Sequence, residues 1–189
     1  KNLCGSSPDR WRSPGTVVLS SRYAAISQTA AASTVIVATP QAGHLRVAVV
    51  SDIHANLHAL EAVLAEISAE DVDEVWCLGD TVGYGPRPNR CCAVVRERAD
   101  FCLRGNHDLA ALGALPLEDF NEEAAAAARW TQAALEAEAR TFLGSLDSSG
   151  ARVGAELFHA SPLDPVWDYV LSRDGARLAL LATQAPLVL

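Results

Sequence analysis

Short apolar runs alternate with amphipathic segments from residue 45 onward, and this alternation restricts the available folds more than any other feature. "LRVAVVS" (45–51), "EVWCLGD" (74–80) and "DFCLRGN" (100–106) are predicted strands. Between them, "NLHALEAVLAEISAE" repeats apolar residues at helical spacing behind a capping Asn56, and a second helix is predicted over about 89–99. The order β-α-β-α-β predicts an α/β fold in which helices cover a sheet.

The second half of the chain continues this pattern less regularly. Asn121 is placed to cap one long helix over about 121–139, and "VGAELFHASP" is predicted to be a strand that ends at His159. "DGARLALLATQ" is then predicted as a helix and "PLVL" as a strand. Large aromatic side chains are usually buried, so we expect four of them in the core: Trp76, Phe101, Trp130 and Phe158.

Residues 1–44 differ in composition from the remainder and are predicted to be a low-complexity or disordered N-terminal extension, with the domain proper spanning 45–189. The segment is rich in Ser, Ala and Thr, and its apolar patches show no period. Its Arg and Ser content with a single acid resembles a transit peptide. The chain does not begin with Met, which favours a fragment or an upstream extension of a gene model.

The charge and cysteine content exclude several functional classes. The net charge is -8, and because residues 1–44 carry four basic residues and one acid, residues 45–189 carry -11. Such an acidic body argues against nucleic-acid binding through a basic face. No run reaches the roughly eighteen apolar residues of a membrane span, so no membrane partner is expected. Five cysteines without a CxxC pair indicate reduced thiols and a cytoplasmic location.

Polar residues suited to metal binding stand where the predicted strands end. Asp52 and His54 follow the first strand, Asp80 comes 28 residues after Asp52, Asn106 comes 26 residues after Asp80, and His159 ends a later strand. In open α/β sheets, ligands bind and catalytic residues lie at such carboxyl ends of the strands. Carboxylate, imidazole and amide oxygen suit Mn, Zn or Fe, and a shared carboxylate lets two ions act on one phosphate. Asp80, on the middle strand, is the natural bridge.

In this order, the motifs D-x-H, G-D, G-N-H-D and H-x-S-P resemble those of the calcineurin-like metallophosphoesterases. "SDIHANLHALEAVL" is most similar to the small prokaryotic phosphodiesterases and phosphatases of that family. The resemblance covers about residues 45–189 and implies a four-layer α/β/β/α sandwich, with two facing sheets and helices outside. It also implies two divalent metal ions, Mn²⁺ in the first place and Zn, Fe or Ni as alternatives. The implied ligands are Asp52, His54 and Asp80 for one ion, and Asp80, Asn106 and His159 for the other.

The same resemblance implies roles for residues beside the ligands. His107 matches the catalytic acid, which would protonate the leaving oxygen, and Asp108 matches its orienting carboxylate. Tyr84 and Arg87 belong to a Gly/Pro-rich loop expected to border the site; Tyr84 could line the pocket, and Arg87 either binds substrate phosphate or is solvated. Family members complete their ligand set with G-H-x-H after a further strand. This chain reaches "APLVL" about where that motif should begin, so C-terminal strands and two histidines are expected to be missing.

The sequence therefore predicts a binuclear metal-dependent phosphoesterase that cleaves phosphodiester or phosphomonoester bonds by attack of a metal-bridging hydroxide. Its expected partner is a small phosphate-ester substrate, and homo-oligomerisation is left open. One alternative is a catalytically impaired protein-binding module, because a retromer subunit of this fold resembles these enzymes yet serves in protein assembly. Another alternative keeps the chemistry and changes the substrate, to a dinucleoside polyphosphate or a phosphoprotein.

Overall fold

The first sheet and its two crossover helices form the predicted β-α-β-α-β unit. The computed structural model describes residues 45–189 and the backbone of two short strands before them, β1 (Ser20–Ser21) and β2 (Ile36–Val37). The sheet order is β1-β2-β3-β4-β5, in which β3, β4 and β5 are parallel and β2 runs antiparallel to β3. The other three strands of this sheet are β3 (Val47–Val50), β4 (Glu74–Cys77) and β5 (Phe101–Cys102). Apart from β1 and β2, the predicted extension over 1–44 lies outside the described residues, so the domain boundary at residue 45 stays a prediction.

The two crossover helices of this sheet form as predicted. Helix α1 (Leu57–Ala69) begins at Asn56, whose side chain accepts a hydrogen bond from Ala59 N at 3.1 Å. Helix α2 (Pro88–Arg98) has a proline in its first turn, where the missing N–H costs nothing. The strand predicted over 100–106 is shorter in the structure, where β5 ends at Cys102 and Asn106 begins helix α3 (Asn106–Ala111).

Alternate residues of the first sheet serve two separate cores. Ala48, Val50 and Cys77 face α1 and α2 in one apolar cluster, whereas Val49 and Trp76 face the second sheet in another. This alternation follows from the two-residue period of a strand. Trp76 is buried as predicted, with 3% of its surface exposed. The predicted α/β fold, with two facing sheets and helices outside, is confirmed.

The second sheet has the order β6-β7-β8 and contains a hairpin that the sequence pattern did not predict. The predicted strand ending at His159 is present as β7 (Ala155–Phe158), and the strand that pairs with it antiparallel, β6 (Ser149–Arg152), was not predicted. They are joined by Val153 and Gly154, with φ of 48° and 82°, the left-handed conformations of a tight hairpin turn. The predicted C-terminal strand is present as β8 (Leu187–Val188), parallel to β7.

The remaining helices correct one prediction and confirm another. The single helix predicted over 121–139 is wrong: a 3-10 turn (Leu117–Asp119) leads into α4 (Glu122–Ala134), and α5 (Ala137–Gly144) follows after a break. Asn121 caps α4 as predicted, accepting from Ala124 N at 2.8 Å. The predicted helix after residue 171 is α6 (Arg173–Leu181). Within the described part of the chain, none of the helices is both long and apolar enough to cross a membrane.

The burial of Trp130 contradicts the sequence prediction. Its side chain on α4 is 49% exposed, whereas the buried face of this helix consists of small residues: Ala124, Ala125, Ala128 and Thr131. Alanine side chains let α4 pack closely on its neighbours, which leaves the larger indole partly outside the packed face. Phe101 and Phe158 are half-buried.

Candidate metal centre

The loops that follow β3 and β4 are held in an unusual backbone conformation. Asp52, His54, Asp80 and Tyr84 have φ of 56°, 48°, 52° and 48°. Non-glycine residues seldom adopt this left-handed region, and such residues cluster where a site requires them. The two loops are joined by backbone hydrogen bonds from Asp52 N to Gly79 O at 3.1 Å and from His54 N to Asp80 O at 2.9 Å. Sheet geometry and these bonds therefore bring the two loops together at the carboxyl ends of the strands.

The side chains of His54, Asp52 and Asp80 lie close together at the strand ends. The His54 Nδ1 lies 3.3 Å from Val82 O, so that nitrogen donates to the carbonyl and leaves Nε2 unprotonated in the neutral ring. His54 Nε2 is 3.6 Å from Asp52 Oδ1 and 3.8 Å from Asp80 Oδ2. An imidazole fixed by a backbone carbonyl through one nitrogen and free at the other is the usual arrangement of a metal-binding histidine.

A second group forms around the other side of the Asp80 carboxylate. The His159 Nδ1 lies 3.0 Å from Leu78 O, and its Nε2 is 3.6 Å from Asp80 Oδ2 and 3.1 Å from Asn106 Oδ1. When Nδ1 donates to the carbonyl, Nε2 and the Asn106 oxygen face each other as two acceptors. Two lone pairs at this distance repel unless a proton or a cation lies between them. This donor set therefore fits a metal ion.

The charges of the site are unbalanced without a cation. Asp80 is 2% exposed, and burial, followed by the charges of Asp108 and Asp52, raises its pKa well above that of an ordinary carboxyl group. Burial also lowers the pKa of His54, against the opposing effect of Asp52. Burying carboxylates beside neutral imidazoles is costly unless they are paired or bind a metal. A divalent ion would supply the missing charge.

His107 lies against the same carboxylate. Its backbone N donates to Asp80 Oδ1 at 2.9 Å, and its ring packs edge-on against His54, with 4.8 Å between centroids. The ring is mostly buried, and its Nδ1 has no hydrogen-bond partner in the described part of the chain. Burial, followed by the nearby His54 and His159, lowers its pKa to about 4. His54, Asp80 and His107 each offer a ligand atom within 4.8 Å of the other two, so this group could hold a metal ion.

Asp108 has a different set of contacts from the one that the resemblance implied. Its fully buried carboxylate accepts hydrogen bonds from Gly105 N, Thr81 N and Val82 N at 3.0, 3.2 and 2.9 Å. Among the described residues, none of its hydrogen bonds goes to the His107 ring. Asp108 therefore orients the backbone that carries Asp80, by tying the loop after β4 to the start of α3.

Of the two substrate-binding candidates, the structure brings one to the site. The Tyr84 ring is 50% exposed and lies 5.0 Å from the His54 ring and 4.7 Å from the His107 ring. Arg87 instead lies exposed beside Pro86 and Arg90, in a groove that none of the predicted metal ligands lines.

Two further aromatic residues, Phe120 and Trp167, reach the site. Phe120 contacts the His107 ring at 5.3 Å and the Trp167 ring at 4.9 Å. Phe120 lies in the loop before α4, where no periodic pattern marks it. Trp167 is positioned by Asp164, whose Oδ1 accepts from Trp167 N at 3.1 Å. A short Ser161–Asp168 hydrogen bond closes the same loop, and "SPLDPVWD" is the only signal of it in the sequence.

Comparisons with known proteins identify the family to which this chain is similar. The family model of the calcineurin-like phosphoesterases matches residues 45–169. The uncharacterised protein MJ0912 of Methanocaldococcus jannaschii is 40% identical over 132 residues, which are 66% of this chain and 53% of that protein. This chain thus spans about half the length of the curated relative.

Two solved structures are similar in fold to this chain. A metallophosphoesterase from Sphaerobacter thermophilus is 42% identical, with a TM-score of 0.67 over 77% of this chain and 59% of that one. A candidate diadenosine tetraphosphatase is 23% identical, with a TM-score of 0.50 over 67% of this chain and 55% of its own. At that identity the second likeness concerns the fold alone.

Proposed function

Because this chain belongs to the calcineurin-like phosphoesterase family, we propose that it is a binuclear metal-dependent hydrolase of small phosphate esters. Asp52, His54 and Asp80 would hold one divalent ion, with Asp80, Asn106 and His159 holding the other. The proposed ions are Mn²⁺, and the proposed location is the cytoplasm.

The position of the Asp80 carboxylate is the observation that carries this proposal. Its Oδ2 is 3.8 Å from His54 Nε2 and 3.6 Å from His159 Nε2. Both imidazoles are fixed through Nδ1 by backbone carbonyls. A single carboxylate between two such nitrogens is what a bridging ligand requires, and two ions that share it can act on one phosphoryl group.

The residues around the bridging Asp80 carboxylate would have different roles in the reaction. When bound, the ions would activate water as the nucleophile and offset the negative charge of the phosphoryl oxygens. Asp108 fixes the loops so that the ligands keep their positions, and His107 would give a proton to the leaving oxygen. Its Nδ1 is buried without a partner, so Nε2 is the ring nitrogen that would carry that proton.

The rim of the site supports a preference for esters with an aromatic leaving group. Tyr84 and Phe120 each contact the His107 ring, and Trp167 contacts Phe120. Flat rings stack favourably on such surfaces. An aryl phosphate would therefore be held better than an alkyl phosphate of similar size.

The test is hydrolysis of p-nitrophenyl phosphate and bis-p-nitrophenyl phosphate with added Mn²⁺, with and without chelator. Chelation and Asp80→Ala should each lower the rate by at least about 100-fold, because even partners of a ligand commonly change metal-dependent activity by 10- to 100-fold. Asp174→Ala, an exposed acid on α6, is the matched control and should leave the rate unchanged. A rate that survives both chelation and Asp80→Ala would contradict the proposal, and a protein-binding module would show no rate at all.

A further inference from the structure

A groove separate from the metal centre lies where α2, α4 and α5 meet. Its volume is about 450 Å³, within the range of small-molecule sites. The floor is apolar and includes the buried Cys92 and Ala139 with the half-buried Phe142. The groove is thus large enough, and its base is apolar enough, to hold a ligand with an apolar part.

The groove is held in shape before any ligand arrives. Asn89 on α2 donates from Nδ2 to Ala134 O at 2.9 Å and accepts at Oδ1 from Glu136 N, also at 2.9 Å. One side chain therefore ties α2 to both sides of the break between α4 and α5. A preformed site avoids the entropic cost of ordering its walls when a ligand binds.

The groove concentrates positive charge on an acidic protein. Residues 45–189 carry 11 arginines and 22 acids, yet Arg87, Arg90 and Arg96 all line this groove, against Glu136 and Glu138. Guanidinium groups are well suited to phosphate because they bind two oxygens at once.

The arginines of the groove are free to bind an anion. The guanidinium groups of Arg87 and Arg90 have no hydrogen-bond or ion-pair partner within residues 45–189, whereas those of Arg152 and Arg98, outside the groove, are bound to Glu74 and Ser68. Arg96 lies 3.7 Å from Glu138, and both side chains are exposed. An exposed pair of this kind contributes little, so Arg96 can exchange Glu138 for a ligand phosphate.

Trp130 contributes an aromatic surface to the groove. Its indole is 49% exposed and lines the wall that α4 contributes. An exposed indole beside guanidinium groups offers a flat face for a ring at one end of a ligand while the arginines bind a phosphate at the other.

We propose that this groove binds a small organic phosphate with a flat ring, of the size of a mononucleotide. The ring stacks on Trp130, and the phosphate lies against Arg87, Arg90 and Arg96. The predicted metal ligands are absent from the groove, so binding there does not require metal.

The test is calorimetric titration of the protein with AMP in chelator, which removes metal from the other site and prevents hydrolysis. AMP should bind at least about tenfold more tightly than either inorganic phosphate or adenosine, since only AMP engages both surfaces. Equal affinity for AMP and inorganic phosphate, or no binding of AMP, overturns the proposal. Because no metal is present, this result is independent of whether the protein hydrolyses esters.

Variants assign the binding to the groove. Arg90→Gln combined with Arg96→Gln, and separately Trp130→Leu, should each weaken AMP binding by about tenfold or more. Glu138→Gln should strengthen it, because Arg96 loses its competing partner. Arg98 lies at the end of α2, the helix of Arg90 and Arg96, but is bound to Ser68, so Arg98→Gln should leave the affinity for AMP unchanged. If AMP binds equally well to the double arginine variant and to wild type, the site lies elsewhere and the proposal is wrong.

Discussion

The His107 side chain is restrained by its neighbours and yet retains an unused nitrogen. Its backbone is bound to Asp80, and its ring is enclosed by His54, Tyr84 and Phe120. A buried imidazole with an unpartnered Nδ1 is suited to proton transfer or to metal binding. Measuring rate and metal content on one variant separates these two roles.

His107→Ala should lower the hydrolysis rate by about 10²- to 10⁴-fold while leaving metal content nearly unchanged, because loss of a general acid has effects of that size. Metal content is read by elemental analysis of the purified variant. His58→Ala, an exposed position on α1, is the control and should behave like wild type. Loss of a metal ion in His107→Ala would show that His107 is a ligand.

Gly105 tests how closely the chain approaches the site. A Cβ atom on Gly105 would lie 2.1 Å from Asp80 Oδ1 and 2.5 Å from His159 Cε1, whereas one on Gly144 would meet nothing within 4 Å. Gly105→Ala should therefore displace both side chains and weaken metal binding by at least about tenfold. Gly144→Ala is the matched control. Titration of both variants with Mn²⁺ gives the comparison, and equal affinity would mean that the loops can adjust.

At the scale of residues, strand ends could be located from the sequence, but contacts across loops could not. Asp80 and Asn106 follow apolar runs, and parallel strands end at one edge, so their proximity could be predicted. Phe120 follows no run and reaches His107 only through the path of the chain between α3 and α4. Trp130 was misassigned because residue type alone predicts burial, whereas the alanine face of α4 decides which side of the helix is covered.

At the scale of elements, the break between α4 and α5 shows a tertiary contact overriding helix propensity. The alanine-rich sequence favours continuing the helix through Leu135. Leu135 is instead 7% exposed and packs with Val82, Cys92 and Leu143, while Asn89 binds the backbone on both sides of the break. Helix propensity does not include these tertiary contacts, so the break between α4 and α5 could not be predicted from it.

The β6–β7 turn contains a residue poorly suited to its conformation. Val153 is 64% exposed and has φ of 48°, a costly conformation for a β-branched residue, whereas Asn-Gly is favoured in such turns. Val153→Asn should raise the free energy of unfolding by about 1 kcal/mol. Urea denaturation measures it, and Val153→Thr, which keeps the branch, should show no comparable gain. A destabilised Val153→Asn variant would mean that the valine makes a stabilising contact.

At the scale of the whole molecule, a polar contact joins the two sheets. Glu74 on β4 accepts from Arg152 on β6 at 2.8 and 3.2 Å, and from Trp76 Nε1 at 2.7 Å. The hydrogen bond from Arg152, followed by that from Trp76, lowers the pKa of the Glu74 carboxyl group. The unfolded chain therefore takes up this proton at a higher pH than the folded protein does, so acidification removes the stability that the contact contributes.

Arg152→Gln should lower the free energy of unfolding by up to about 1 kcal/mol near pH 7, the usual range for a partly exposed pair. The difference from wild type should be complete above the ordinary glutamate pKa of about 4.3 and should vanish as the pH falls through the lower pKa of folded Glu74. Arg96→Gln, which removes the exposed pair with Glu138, should show no such pH-dependent loss. A constant difference across this range would mean that the arginine acts through packing.

The residues gathered around Asp80 are far apart along the chain, and this has a consequence during synthesis. Asp52, His54 and Asp80 leave the ribosome together with the first two parallel strands, but His159 follows Asp80 by 79 positions and comes after the β6–β7 hairpin. Until His159 arrives, Asn106 has no imidazole opposite it, and Asp80 has only His54 as a neighbouring ring. If these residues hold the ions proposed above, the ligands of the first ion would therefore be in place before the second sheet is made, and those of the second ion only after it.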